Sequence, residues 1–289
     1  MTAIDALLAG LFDYAGLYPP ASFDLHTAAG KYLEYRNVRH ASALGRFILG
    51  LDRLDEFRAI AGDSIGDFAL SVIAQEDADW AALARQIDSG LRIESVEIKC
   101  SQASVIERIV QQVPRNVAAY FEVPMQASSR SALEAVHAAG ARAKLRMGGV
   151  VAEAIPPVAD VAQMLKTLAD LRLPFKATAG LHHPLRSMQA LTYDAQSATG
   201  VMHGFVNLSA AAAVIFFGGD VEEARRFLAE ENPGAWQVCA DSLRWGNLRW
   251  GNQSWTAEQL ASLRSDFFLG IGSCSFEEPI HDLESLGWL

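Results

Sequence analysis

The chain has 289 residues, 51% of them hydrophobic and 20% charged, and carries a formal net charge of −10 at pH 7. That length and balance suit one globular domain with a large buried core, and an α/β barrel of this size is commonly a single unit. An acidic chain with no Lys/Arg cluster excludes a nucleic-acid partner, because phosphate binding needs a basic face.

The N-terminal stretch "MTAIDALLAGLFDYAG" has an acid at Asp5 and no basic start, so it does not read as a signal peptide. The longest apolar stretch, "LSAAAAVIFFGG", is shorter than the roughly 20 residues of a membrane span. The three cysteines, Cys100, Cys239 and Cys274, are few and odd in number and lack CxxC spacing, which fits a reducing compartment. The expectation is a cytoplasmic protein without a membrane partner.

Short apolar runs alternate with helical periodicity along the chain. The runs fall at 10–16, 46–52, 67–74, 95–101, 118–124, 142–149, 174–180 and 266–273. Continuous apolar runs bounded by turn residues suit parallel strands covered on both faces. Helical segments separate them, such as "SRSALEAVHAAG" and "PPVADVAQMLKTLADLRL", the latter with prolines in its first turn. Eight strand–helix alternations predict a (β/α)8 TIM barrel of one domain over 1–289, with an open doubly wound sheet as the rival topology. Less regular spacing over about 187–265 reads as an extended helical insertion. It holds the echo "RWGNLRWGNQSW", which reads as a loop with exposed tryptophans, a lid or subunit contact of a homo-oligomer, or a packed surface turn.

Side chains alternate across a strand, so residues two apart share a face. Glu97 and Lys99 then share one face of the fourth strand, Tyr120 and Glu122 of the fifth, Lys144 and Arg146 of the sixth, and Lys176 and Thr178 of the seventh. The apolar set of each strand must meet the helices, so the ionisable set points into the barrel. Lys99, Glu122, Arg146 and Lys176 come late in their strands and are expected at the C-terminal mouth, where barrel enzymes place their sites. The set reads either as a catalytic cluster or as a compensated ion-pair network closing that end. Two inward lysines on adjacent strands, close to Arg146, favour one neutral amine that attacks a carbonyl to give a Schiff base, with Glu122 and Tyr120 moving protons.

With "KATAG" on the seventh strand and "GIGSCS" on the eighth, the paired lysines make the chain resemble the deoxyribose-phosphate aldolases and related class I aldolases. The resemblance rests on three short motifs covering about 25 residues. It implies a TIM barrel in which Lys144 forms the imine and Lys176 perturbs it, while Gly180, Gly272 and Ser273 lie near a substrate phosphate. The chain departs from the family where Lys99 stands at the fourth-strand acid, where "KLRMGG" replaces a small-hydroxyl motif, and where "LHHP" follows the seventh-strand glycine.

His182 and His183 fall on the loop after the seventh strand, as general acid–base groups, as loop residues bonded to backbone, or as metal ligands with partners such as Glu122, Asp13 or His203. Thr178, Gly180, Gly272, Ser273, Cys274 and Ser275 offer small side chains and backbone N–H groups to an anion. Cys274 as a nucleophile needs a base that the sequence does not place. Asp13 and Tyr14 end the first strand as weaker candidates. These features together predict a lysine-dependent lyase or aldolase without an organic cofactor or a metal, acting on a small anionic carbonyl compound. The alternatives are a metal-assisted isomerase or hydrolase using His182 and His183, and a barrel that binds an anionic ligand without turnover.

Overall fold

In the computed structural model, which describes residues 1–289 apart from the side chain of Asn247, eight parallel strands close into a barrel. They are β1 (Phe12–Tyr14), β2 (Leu44–Gly50), β3 (Leu70–Ala74), β4 (Ile93–Lys99), β5 (Ala118–Glu122), β6 (Arg142–Arg146), β7 (Phe175–Thr178) and, after a long excursion, the closing strand Phe268–Ser273. The closing strand pairs Gly270 with Lys176 on one side and Ile271 with Phe12 on the other, which seals the barrel. Each apolar run of the sequence became one of these strands, and the doubly wound alternative is excluded by the closure.

Outward-facing side chains meet the helix layer as expected. Tyr32, Phe47, Phe57 and Phe68 form an aromatic cluster between β2 and its covering helices, with Tyr32 and Phe68 stacked at 5.2 Å. Tyr32 is fixed there by its hydroxyl, which donates to the Gly45 carbonyl at 2.9 Å. No helix among the described residues is long and apolar enough to cross a membrane.

The stretch 187–265 carries strands as well as the expected helices. It begins with an antiparallel pair, β8 (Ser187–Ala190) and β9 (Thr199–Met202). Two helices follow, Phe205–Phe216 and Val221–Ala229, and then a three-stranded meander of β10 (Trp236–Val238), β11 (Ser242–Asn247) and β12 (Gly251–Thr256). A further helix, Ala257–Asp266, leads into the closing strand, which is β13. The "RWGN" echo lies on the β11–β12 hairpin. Trp245 and Trp255 are buried against Phe227, and Trp250 alone of the echo's tryptophans is exposed. The reading as a loop overlooked a period-2 alternation in which Leu243 and Trp245 face inward and Arg244 faces out.

The helix Phe205–Phe216 is apolar on every side, the pattern of a helix enclosed by protein, and it is buried through Ile215. Its N-terminus holds the loop after β7. The N–H groups of Phe205 and Val206 donate to the carbonyls of His183 and Pro184 at 3.0 and 2.9 Å. Fully buried Asn207 completes the joint: its Oδ1 accepts from Arg186 N at 2.8 Å, and its Nδ2 donates to the Phe227 and Glu230 carbonyls at 2.7 and 2.8 Å. Gly204 is required here, since a Cβ would lie 2.4 Å from the Pro184 carbonyl oxygen.

An Asn207→Leu variant keeps the volume and orphans these three backbone groups, each worth about 1–3 kcal/mol when left unsatisfied. Urea unfolding is expected to show a loss of at least 2 kcal/mol on that basis.

Candidate active site

The barrel interior holds a continuous chain of charges. Lys176 on β7 is 1% exposed and reaches Asp13 Oδ2 of β1 at 2.5 Å and Glu97 Oε1 of β4 at 2.7 Å. Lys144 on β6 takes the second oxygen of Glu97 at 2.8 Å and Oε2 of Glu122 at 3.0 Å. Arg146 reaches the remaining Glu122 oxygen through Nε at 2.8 Å. Ser71 donates to Glu97 Oε1 at 2.7 Å and itself accepts from Ser95 at 2.7 Å. Asp13 Oδ1 accepts the Arg46 backbone N–H at 2.7 Å, with the Arg46 guanidinium 3.6 Å away.

The electrostatics follow from this pairing. Burial alone would raise the Glu97 pKa, but the Lys144 and Lys176 ammonium groups reverse that and hold the carboxyl well below the usual range. Glu122 is lowered in the same way: burial opposes the carboxylate, and Lys144 and Arg146 outweigh it. Burial disfavours the Lys176 ammonium, yet Asp13 and Glu97 hold it protonated above the ordinary lysine range. The expectation that crowded positive charge neutralises a lysine is therefore reversed at Lys176, because two carboxylates separate it from its cationic neighbours.

Above this network lies a cavity of about 420 Å³ at the C-terminal mouth. Glu97, Lys144, Arg146, Thr178, Gly180, His182, Gly272 and Cys274 line it together with Tyr18 and apolar side chains. Lys176 does not line it and lies within the network, with Tyr120 beside it: its ammonium is 5.4 Å from the Tyr120 ring, whose hydroxyl accepts from Arg142. Tyr120 is thus an inward residue that packs the network and does not reach the cavity. Two loops close over one side with their backbones in contact. A Cβ on Gly148 would lie 3.0 Å from Gly180 Cα, and Ala179 and Gly180 both take positive φ, at 62° and 68°.

Several expected residues lie elsewhere. Lys99 ends β4 with an exposed side chain and does not line the cavity. Its strand-mate Glu97, two residues deeper, is the buried acid of β4. Ser273 Oγ donates to the Ser275 carbonyl at 2.6 Å, and Ser275 Oγ accepts Glu278 N at 3.1 Å. Both hydroxyls therefore close the turn and cap the last helix, Glu277–Ser285, and neither lines the cavity. Tyr14 faces the helix layer against Tyr35 at 5.2 Å. Each neighbouring histidine takes a carboxylate of the last helix: His182 Nδ1 meets Glu278 Oε2 at 2.9 Å, and His183 Nδ1 meets Asp282 Oδ2 at 2.6 Å. His182 lines the cavity and His183 does not. No three His, Cys, Asp or Glu side chains among the described residues are placed to share a metal ion.

Sequence reasoning ranked Asp13 low, faced Glu97 inward without giving it a role, read Glu278 as a cap of the following turn, and assigned nothing to Ser71 and Ser95. An available signal was that an inward acid one turn of the pleat below an inward strand-end lysine is the better-buried partner. The Ser71 and Ser95 hydroxyls had no pattern of their own.

The lowered carboxyl groups and the raised lysine give opposite pH limbs. The Glu97 and Glu122 contributions are complete above the unfolded carboxyl value, about 4.3, and are lost as pH falls through the folded values. The Lys176 contribution is complete below about 10.4 and is lost as pH rises through its folded value. Unfolding free energy is expected to hold a plateau between about pH 5 and 10 with respect to these groups. In Glu97→Gln, urea titrations across pH should show a flattened acid limb.

No family model matches the chain, and no curated protein matches it. Among solved structures it is similar to FabK from Thermotoga maritima at 16% identity, with a TM-score of 0.38 over 64% of this chain and 56% of that one. A point mutant of the same FabK gives 15% identity and a TM-score of 0.39 over 64% of this chain and 58% of that one. The chain thus spans under three fifths of the length of these FabK chains.

Proposed function

We propose that the protein is a lysine-dependent lyase of the aldolase type, in which Lys144 forms a Schiff base with a small anionic carbonyl compound. One observation carries the reading: Lys144 is the cation the network can spare. Without its charge, Glu97 keeps Lys176 at 2.7 Å, Glu122 keeps Arg146 at 2.8 Å, and Asp13 keeps both Lys176 and Arg46. Arg46 also meets Glu94 at 2.9 Å, and Arg92 neutralises that carboxylate in turn. Lys144 is also the lysine that lines the cavity.

The chemistry then runs from the floor of the cavity. The neutral Lys144 amine adds to the substrate carbonyl, loss of water leaves a neutral imine, and a proton taken from solvent makes it an iminium whose positive charge restores the one the ammonium carried. The iminium accepts the electron pair of the bond between its α and β carbons as the hydroxyl on the departing carbon gives its proton to solvent at the open mouth, since Glu97, paired with two cations, is too weak a base to take it. Arg146 spends one nitrogen on Glu122, and its side chain is 52% exposed at the mouth, where it supports the choice of an anionic substrate. Thr178 and the close-packed Gly148 and Gly180 backbones leave room for that group.

Borohydride reduction with a panel of small aldehydes and ketones is expected to trap an adduct on the Lys144 peptide and none on Lys176. Lys144→Met should lose turnover of any trapped substrate by orders of magnitude and keep its fold. Lys176→Met should lose about 3–5 kcal/mol of stability, the cost of breaking a buried pair from one side. No adduct with any carbonyl probe, or an adduct on Lys176, overturns the reading. In the first case the barrel is a binder of anionic ligands.

A further inference from the structure

At the rim of the same cavity, Cys274, His182 and Glu278 form a second constellation that the lysine chemistry does not use. Lys144 and Lys176 are level with Gly270 of β13. Cys274 lies four residues beyond Gly270 in the sequence, a rise of about 13 Å along a strand at roughly 3.3 Å per residue. The two groups thus face the cavity from opposite ends. The Cys274 sulfur sits against the His182 ring, 3.8 Å from Nδ1 and 3.7 Å from Nε2. Glu278 Oε2 engages Nδ1 at 2.9 Å, so Nε2 is the nitrogen left for the thiol once a small turn of the ring brings it into line with the sulfur. Tyr193 OH donates to the same Glu278 oxygen at 3.0 Å and lies 3.9 Å from the sulfur.

We propose that Cys274 is an acyl-accepting nucleophile, with His182 as its base, Glu278 as the group orienting that base, and Tyr193 as the hydrogen-bond donor to the carbonyl oxygen. The substrate class is a short acyl group carried as a thioester or activated ester. Nucleophile, base and orienting acid in hydrogen-bonded sequence are the arrangement that acyl transfer requires. The cavity side chains Ile48, Ile73, Leu191 and Met202 provide an apolar surface for the acyl chain. Burial lowers the affinity of the His182 ring for a proton, but its contacts with Cys274 and Glu278 outweigh this and push its pKa up to about 10. The other titratable groups facing it are Tyr193 and, at 6.5 Å between ring centroids, His183, which Asp282 holds.

The reaction balances within these groups and water. The thiol proton passes to His182 Nε2, and the thiolate sulfur bonds to the acyl carbon while the Tyr193 hydroxyl turns its one proton from Glu278 to the oxyanion. The bond to the leaving thiol or alcohol breaks, and that group takes the proton from His182. Water then gives a proton to the neutral imidazole as its oxygen attacks the acyl–sulfur carbon. Collapse releases a carboxylic acid, and the proton returns to the sulfur.

The test uses the full chain and two probes, iodoacetamide and p-nitrophenyl acetate, both read by peptide mass. At pH 6.5 Cys274 should be alkylated at least tenfold faster than Cys239 in the same molecule, despite being the more buried of the two. His182→Gln should lower the Cys274 rate at least tenfold. Should that variant fail to fold, Glu278→Gln, which keeps the imidazole, should lower the rate severalfold. With p-nitrophenyl acetate, one equivalent of nitrophenolate should appear in a burst with acetyl on Cys274. Tyr193→Phe should slow acetylation and leave alkylation unchanged, because alkylation develops no oxyanion. Alkylation of Cys274 no faster than Cys239, or fast alkylation with no acetyl on Cys274, overturns the proposal. The Lys144 reading can fail without affecting either measurement.

Discussion

The Glu97 carboxylate is the contact on which the barrel interior depends. Each of its oxygens takes a different lysine, Lys176 at 2.7 Å and Lys144 at 2.8 Å, and Ser71 adds a hydrogen bond. Burying two ammonium groups in a barrel core is costly unless each meets a carboxylate. One acid placed between them meets that need and forces them to approach it from different sides. The result is asymmetric. Lys176 is enclosed by Asp13 and Glu97 and faces no cavity, whereas Lys144 shares its carboxylates with other cations and does face one. Two lysines level in the β6–β7 register thereby acquire different environments, and a distinction of roles rests on that difference.

The mouth of the barrel is held from two sides. The helix Phe205–Phe216 takes the carbonyls of His183 and Pro184 with its first N–H groups, and Asn207 ties Arg186 to the following helix. On the other side, the last helix presents Glu278 and Asp282, four residues apart and so on one helical face, to His182 and His183. The adjacent histidines act as two pins, and only the first also borders the cavity. A loop fixed this way presents preorganised groups, which favours chemistry at the rim as well as at the floor.

The cavity therefore has two ends of different character. Its floor is a saturated ionic network in which a single amine is available, and its rim is a thiol, imidazole and carboxylate series beside apolar walls. The two share walls but no hydrogen-bond partner, so each can be perturbed without rewiring the other.

The strand pattern by itself determined the barrel, because parallel strands buried on both faces must read as continuous apolar runs, and the eight runs were visible as such. Alternation within those runs also determined that Glu122, Lys144, Arg146 and Lys176 point inward. Depth was not legible. Glu97 and Lys99 share a face, and only closure of the sheet decided that the first is enclosed and the second reaches solvent. Asp13 became central because β1 meets β13 across the seam, a contact 163 residues from Lys176 in the chain. The strands of 187–265 were missed because their apolar positions are few, and the pairing of β10–β12 is stabilised by tryptophans packed on Phe227. Cys274, His182 and Glu278 met for the same kind of reason: the loop after β7 and the helix after β13 are neighbours only once the barrel is closed. Periodicity records which way a side chain faces, since that is a local property of the backbone. Which side chain it meets there is decided by strand register and closure, and those are properties of the whole chain.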